Sequence, residues 1–336
     1  MIFKNKYCLL SLWCLIINVL SPIHFLYGGN DQSFQEMNTD KILSRIKLDK
    51  IQADLNNELF KAVKSNDISL MQKLLADGAN PNAIDYDFNT PLHFASGSKS
   101  IGMLLKAGAS VHNKNSTLEI PLHNHSHEQD VELLLKAGSY ADSKDYQGLT
   151  LLHKTKNPKI IKKLLEHNAN PNIANDYGMT ALHYSDNPES VKILLEAGAN
   201  PNAKDAGGDT PLHLVSDVRS AQLLLTYGAN PNAVDDEGFT PLHFVKNPPI
   251  AKMLLNYGAD PRVKENFGYS AYQIANSKEL KQILNPKNYM KKQMTPSRPQ
   301  TKKQNIFDRF ARRLGTNSSD NSSQGTDSDL SDLQHE

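Results

Sequence analysis

Residues 210–213 read Thr-Pro-Leu-His, and the same tetrapeptide returns along the chain at a step of 30 residues. Thr90-Pro91-Leu92-His93, Ile120-Pro121-Leu122-His123, Thr150-Leu151-Leu152-His153, Thr180-Ala181-Leu182-His183 and Thr240-Pro241-Leu242-His243 keep its phase, and Ser270-Ala271-Tyr272-Gln273 is its faded last copy. A Leu-Leu pair moves in step, from Leu74-Leu75 through Leu164-Leu165 to Leu254-Leu255. Self-similarity at a fixed period of a few tens of residues means stacked supersecondary units, because one unit cannot bury its apolar face alone. The period predicts a solenoid that offers a surface to another macromolecule, and the helix caps and i, i+3, i+4 stripes within each unit make it all-α.

The unit 180–209 shows how each copy is built. Thr180 is expected to cap a short first helix by accepting a backbone N–H, and Asn187-Pro188 to start a second one. Val191, Leu194 and Leu195 at i, i+3 and i+4 give that second helix one apolar stripe. Gly198 then ends it in the left-handed region and Pro201 blocks continuation. Across the copies this terminator is Gly78, Gly108, Gly138, Gly198, Gly228 and Gly258, with Asn168, the next-best residue there, in the remaining one. Turns such as Asp145 to Gly148, Asn175 to Gly178, Asp205 to Gly208 and Asp235 to Gly238 reverse the chain into a finger before the next Thr.

Helix, turn, helix and reversing finger, opened by Thr-Pro-Leu-His, resemble the ankyrin repeat family, whose signature is that tetrapeptide. The resemblance covers residues 57–285, with units starting near 57, 90, 120, 150, 180, 210, 240 and 270. It implies a non-enzymatic scaffold that binds a protein partner through finger tips and a concave helix face. The family's unit is about 33 residues; here three are missing between the two helices, so first helices of little over one turn are expected. The stretch 59–75 keeps the longer spacing, and 277–284 reads as a polar-faced closing helix.

The array carries 26 basic and 30 acidic side chains over 31–285, a poor phosphate-binding surface. The ends differ from it. Lys4 and Lys6 precede an apolar run from Tyr7 to Leu20, so 1–29 reads as a signal peptide, or alternatively as an anchor over 7–27 broken by Pro22 and His24. Both cysteines, Cys8 and Cys14, lie there, and the rest of the chain needs no disulfide. Residues 30–56 read as a linker or helix. The tail 286–336 is basic to 313, with nine basic residues and one acidic, and then acidic and low in complexity. An export-like start, a Lys- and Asn-rich composition and trimmed repeats are similar to ankyrin proteins of intracellular bacteria, which implies a secreted or exported protein.

No phosphate loop, nucleophile elbow or His-Glu-x-x-His motif is present, and no cofactor is implied. His93, His123, His153, His183, His213 and His243 recur once per unit at a helix start, which fits structural hydrogen bonding. The cluster from His112 to Glu128, with His123, His125 and His127, leaves a metal reading as an alternative. Partner contact is expected from exposed apolar groups at finger tips: Tyr86, Phe88, Tyr146, Leu149, Tyr177, Met179, Phe239, Phe267 and Tyr269. In 304–314, Ile306, Phe307, Phe310 and Leu314 form one helical face, with Arg309, Arg312 and Arg313 on the rest. That segment fits a partner groove or an anionic membrane.

Overall fold

The computed structural model of the chain describes residues 32–288. The segment 1–29, the anchor 7–27 and the tail helix 304–314 lie outside the described residues, as does the rest of the tail from 289. Within 32–288 the protein is helical, with no strand and a single isolated bridge between Lys264 and Ser270. No helix among the described residues is long and apolar enough to cross a membrane.

The array begins with a long helix, Gln32–Lys64, that runs without a break through the expected boundary at 56. Its last turns are the first helix of the first unit, where Leu59, Ala62 and Val63 are buried. Upstream, Leu43, Ile46, Leu48 and Ile51 remain exposed. Asn66 turns the chain with φ 53°, and Asp67 caps the next helix, Ile68–Ala76, by accepting from Leu70 N–H at 3.0 Å.

Each later unit pairs a first segment of about one turn with a nine-residue second helix, until the last second helix shortens to Lys278–Leu284. The first helices are Pro91–Phe94, Leu151–Lys154, Pro211–Leu214, Pro241–Phe244 and Ala271–Ile274; Pro121–Asn124 is 3-10 and 181–184 is a turn. The trim explains this. With three residues removed, the chain leaves the helical region at Ala95, Thr155, Val215 and Val245 and goes extended to reach the next helix start. The second helix of the 180 unit begins at its expected cap, Asn187, whose side chain accepts from Glu189 N–H, and Asn157 and Asp217 cap theirs by accepting from Lys159 and Ser220 N–H.

One core runs the length of the stack. Each unit adds a first-helix leucine (Leu92, Leu122, Leu152, Leu182, Leu212, Leu242) and a second-helix pair such as Val191 and Leu194, all at most 2 % exposed. Complete burial of one such leucine is worth about 1.5–3 kcal/mol. The helix ends close as the glycine column requires: Gly198 has φ 86° and Ala199 N–H reaches Leu194 C=O at 3.0 Å. Asn168, at φ 63°, makes the same closure through Ala169.

Neighbouring units are joined by polar bonds as well. Asn82, Asn172, Asn202 and Asn232 each donate to the Gly C=O that ends the next second helix, at 2.8–3.0 Å. The same side chains accept the N–H two residues beyond that Gly, at 2.7 Å. Adjacent fingers are also joined backbone to backbone, as in Asp176 to Gln147, Ala206 to Tyr177 and Asp236 to Gly207. At these crossings the backbones nearly touch: a Cβ on Gly208 would meet Asp236 N at 2.9 Å.

Candidate functional site

The recurring histidines sit at the root of each finger. In five units the Thr N–H and Thr hydroxyl both donate to the ring Nδ1, as at Thr210 and His213 (3.0 and 2.9 Å). Threonine and histidine thus form a reciprocal box at the start of the short first helix, in which the hydroxyl also serves the ring. Nδ1 being the acceptor, Nε2 carries the proton. It donates to the next unit: His93 to Glu119 C=O, His123 to Ser143, His153 to Ile173, His183 to Asp209 and His213 to Phe239, at 2.9–3.3 Å. At His243 the buried Nε2 has no hydrogen bond of acceptable geometry, although the Tyr269 carbonyl still acts on it electrostatically. Burial pushes His93, His123, His153, His183 and His243 below the usual imidazole range.

Ser270 and Gln273 show what the site requires. Gln273 Oε1 accepts both the N–H and the hydroxyl of Ser270, at 2.9 and 3.2 Å, so the faded copy keeps the acceptor function. The cluster near His123 does not converge. His112 stacks on Tyr140 with centroids 4.5 Å apart, and His125 is buried between the Pro121 and Ala95 carbonyls. No three His, Cys, Asp or Glu side chains meet at a metal-holding distance among the described residues.

The finger tips present Tyr86, Phe88, Tyr146, Tyr177, Phe267 and Tyr269 to solvent. Leu149, Met179 and Phe239, expected there as well, are half-buried. They occupy the last finger position, whose N–H is held by Asp145, Asn175 or Asp235, and the carbonyls of Met179 and Phe239 also receive a histidine Nε2. Phe239 is turned onto Phe244, with centroids 5.5 Å apart.

That packing exposes a feature the sequence reading missed. The last residue of each first helix faces outward beside the finger roots. In the C-terminal half these residues are Tyr184, Leu214, Phe244 and Ile274, which are 39, 44, 43 and 41 % exposed. They recur at the unit step, so successive units place them side by side as one apolar stripe. The equivalent residue upstream, Lys154, is charged. Its ammonium bridges Glu119 Oε1 (2.5 Å) and Asp145 Oδ2 (2.7 Å), carboxylates from two successive fingers. Burial alone would raise both acids; the Lys154 contacts hold them below their usual range. Lys154 is itself raised: its burial works against the charge, and the two carboxylates outweigh it.

Profiles of ankyrin repeats in three copies match residues 118–205 and 185–265, and one of ankyrin repeats in many copies matches 59–105. Over 62 residues the chain is 42 % identical to the potassium channel GORK of Arabidopsis thaliana, a stretch covering 18 % of this chain and 8 % of the channel. The chain therefore corresponds to only a small part of that relative's length. Among solved structures, the ankyrin repeat domain of Bcl-3, an IkappaB-family protein, aligns with 68 % of this chain and 97 % of that domain at 25 % identity and a TM-score of 0.46. Units that start, close and join alike from finger to finger, and profile matches that take in most of the array, lead to one conclusion: the chain belongs to the ankyrin repeat family.

Proposed function

We propose that this ankyrin array is an exported scaffold that holds a protein partner along its first-helix face and finger tips. The ankyrin fold is typically non-enzymatic and its members bind proteins, so the open matters are which face and which compartment. The stripe Tyr184, Leu214, Phe244 and Ile274 carries the choice of face. Exposed aromatic and aliphatic groups aligned in register on an otherwise polar surface gain most from being covered by another chain. Exposed Tyr146, Tyr177 and Tyr269 on the adjoining fingers extend the same surface. Export is supported by Lys4, Lys6 and the apolar run that follows them.

The test uses the full chain and two variants, one with Tyr184, Leu214 and Phe244 changed to Ser, the other with Tyr146, Tyr177, Phe239 and Tyr269 changed to Ala. Proteins crosslinked to each in the producing cells are quantified by mass spectrometry. Loss of a common partner from either variant is expected; identical partner sets at identical yield would remove the assigned face. Fractionation with N-terminal sequencing tests export: a mature start near residue 30 outside the cell is expected, whereas an intact Met1 in the membrane fraction makes the protein an envelope-anchored adaptor instead.

A further inference from the structure

The bridge at Lys154 has a counterpart that lacks its cation. Three units further on, the places of Glu119, Asp145 and Lys154 are taken by Asp209, Asp235 and Phe244. Two carboxylates again come from successive fingers, but the position equivalent to Lys154 holds a phenyl ring, which packs on His213 and Phe239 with centroids 5.9 and 5.5 Å away. Asp209 Oδ1 is buried with no hydrogen-bond partner. Burial, with Asp205, Asp235 and Glu237 nearby, raises Asp209 above the usual carboxylate range, and His213 offsets this in part. In other units the same positions hold amides that find partners within the array. Asn115 donates to Asn89 at 2.9 Å, and Asn175 donates to the Tyr184 hydroxyl at 2.9 Å. The surface at Asp209 therefore combines an apolar stripe with an acidic notch that calls for an external cation.

From this we infer that the stripe beside Asp209 is the docking site of the chain's own segment 304–314. The inference rests on the reading of this face as a docking surface. The segment's chemistry is complementary: Ile306, Phe307, Phe310 and Leu314 supply an apolar face, and Arg309 and Arg313 flank it at helical spacing. A guanidinium is suited to two carboxylates at once, as the ammonium of Lys154 is upstream. The dimensions agree. Eleven helical residues span about 16 Å, and two unit steps, from Leu214 to Ile274, span about 20 Å at ordinary interhelical distances. The 15 residues from 289 to 303 can cross up to about 50 Å, enough to return from the array's end to the unit at 210. Charge agrees too, since the tail from 286 to 313 is strongly basic while the array is net acidic. Docked there, the tail occupies the partner's site and makes binding depend on its release.

A photo-crosslinking residue, p-benzoylphenylalanine, placed at Phe307 in the full chain tests this directly. The expected product is monomeric, with the crosslink inside 205–274. Phe244→Lys, which restores the arrangement of Lys154, is expected to lower the yield about tenfold or more, the scale of losing a charge-assisted contact. The combined Arg309→Glu, Arg312→Glu and Arg313→Glu variant, whose changes lie outside the array, is expected to do the same and serves should Phe244→Lys fail to fold. A crosslink between chains, none within 205–274, or a yield unchanged in the arginine variant overturns the inference. If the crosslink is absent while the Ser stripe variant still loses its partner, the docking face stands and the tail assignment falls. If the crosslink is present and that variant keeps every partner, the tail assignment stands and the partner face falls.

Discussion

At the scale of single residues, His213 carries two separable duties. Its Nδ1 accepts from Thr210, and its Nε2–H reaches the Phe239 carbonyl of the next unit. His213→Ala removes both and is expected to cost about 2–3 kcal/mol, whereas His213→Gln, in the manner of Gln273, keeps the first and costs about 1 kcal/mol. Urea unfolding of the two variants checks this; equal losses would mean that the acceptor at the finger root contributes nothing. Gly208 and Gly198 give a second contrast. Both have positive φ, 82° and 86°, but only Gly208 has the next finger against it. Alanine at 198 is expected to cost about 1–2 kcal/mol from the backbone conformation alone, and alanine at 208 measurably more, because Asp236 must move. The sequence showed the histidine column plainly. It did not show that the threonine hydroxyl also serves the ring, since capping chemistry read from residue type assigns that hydroxyl to the backbone alone.

At the scale of elements, the second helices carry the packing. Leu194→Ala empties a site that is fully enclosed, and a loss of about 3 kcal/mol is expected in equilibrium unfolding. These helices were legible because their caps, apolar stripe and Gly terminators fall within one window of sequence. The first helices were not legible in the same way. Four residues contain no period, so Tyr184, Leu214, Phe244 and Ile274 look like scattered apolar residues until the units are stacked. Leu149, Met179 and Phe239 misled for the complementary reason: they follow a turn, which suggests exposure, yet they are half-buried in the stack, Phe239 against Phe244.

At the scale of the whole molecule, the buried histidines make stability depend on pH. His93, His123, His153, His183 and His243 are all depressed by burial, so each binds a proton more readily when unfolded. Their contribution is complete above the unfolded value of about 6.5 and is lost as pH falls below it toward the folded values. Melting measured from pH 8 to pH 5 is expected to show a plateau down to about 6.5 and a decline below it. A melting temperature that does not change across that range would contradict this account. Because the five rings are spread over separate units, the decline should appear throughout the array and not at one end.

The constant step of the inter-unit bonds has one more consequence. Met179 accepts from His153 just as Phe239 accepts from His213, so the finger that closes one unit presents the same acceptor as the finger two units on. The chain behaves as a crystal in one dimension, with a unit cell written into its sequence and a translation of 30 residues. Excising 180–209 would bring Thr210 against Met179 and restore a legitimate lattice contact. Growth by duplication would add a cell and leave the others in place. Length is thus an integer that selection can adjust, while the local chemistry of each rung is inherited unchanged.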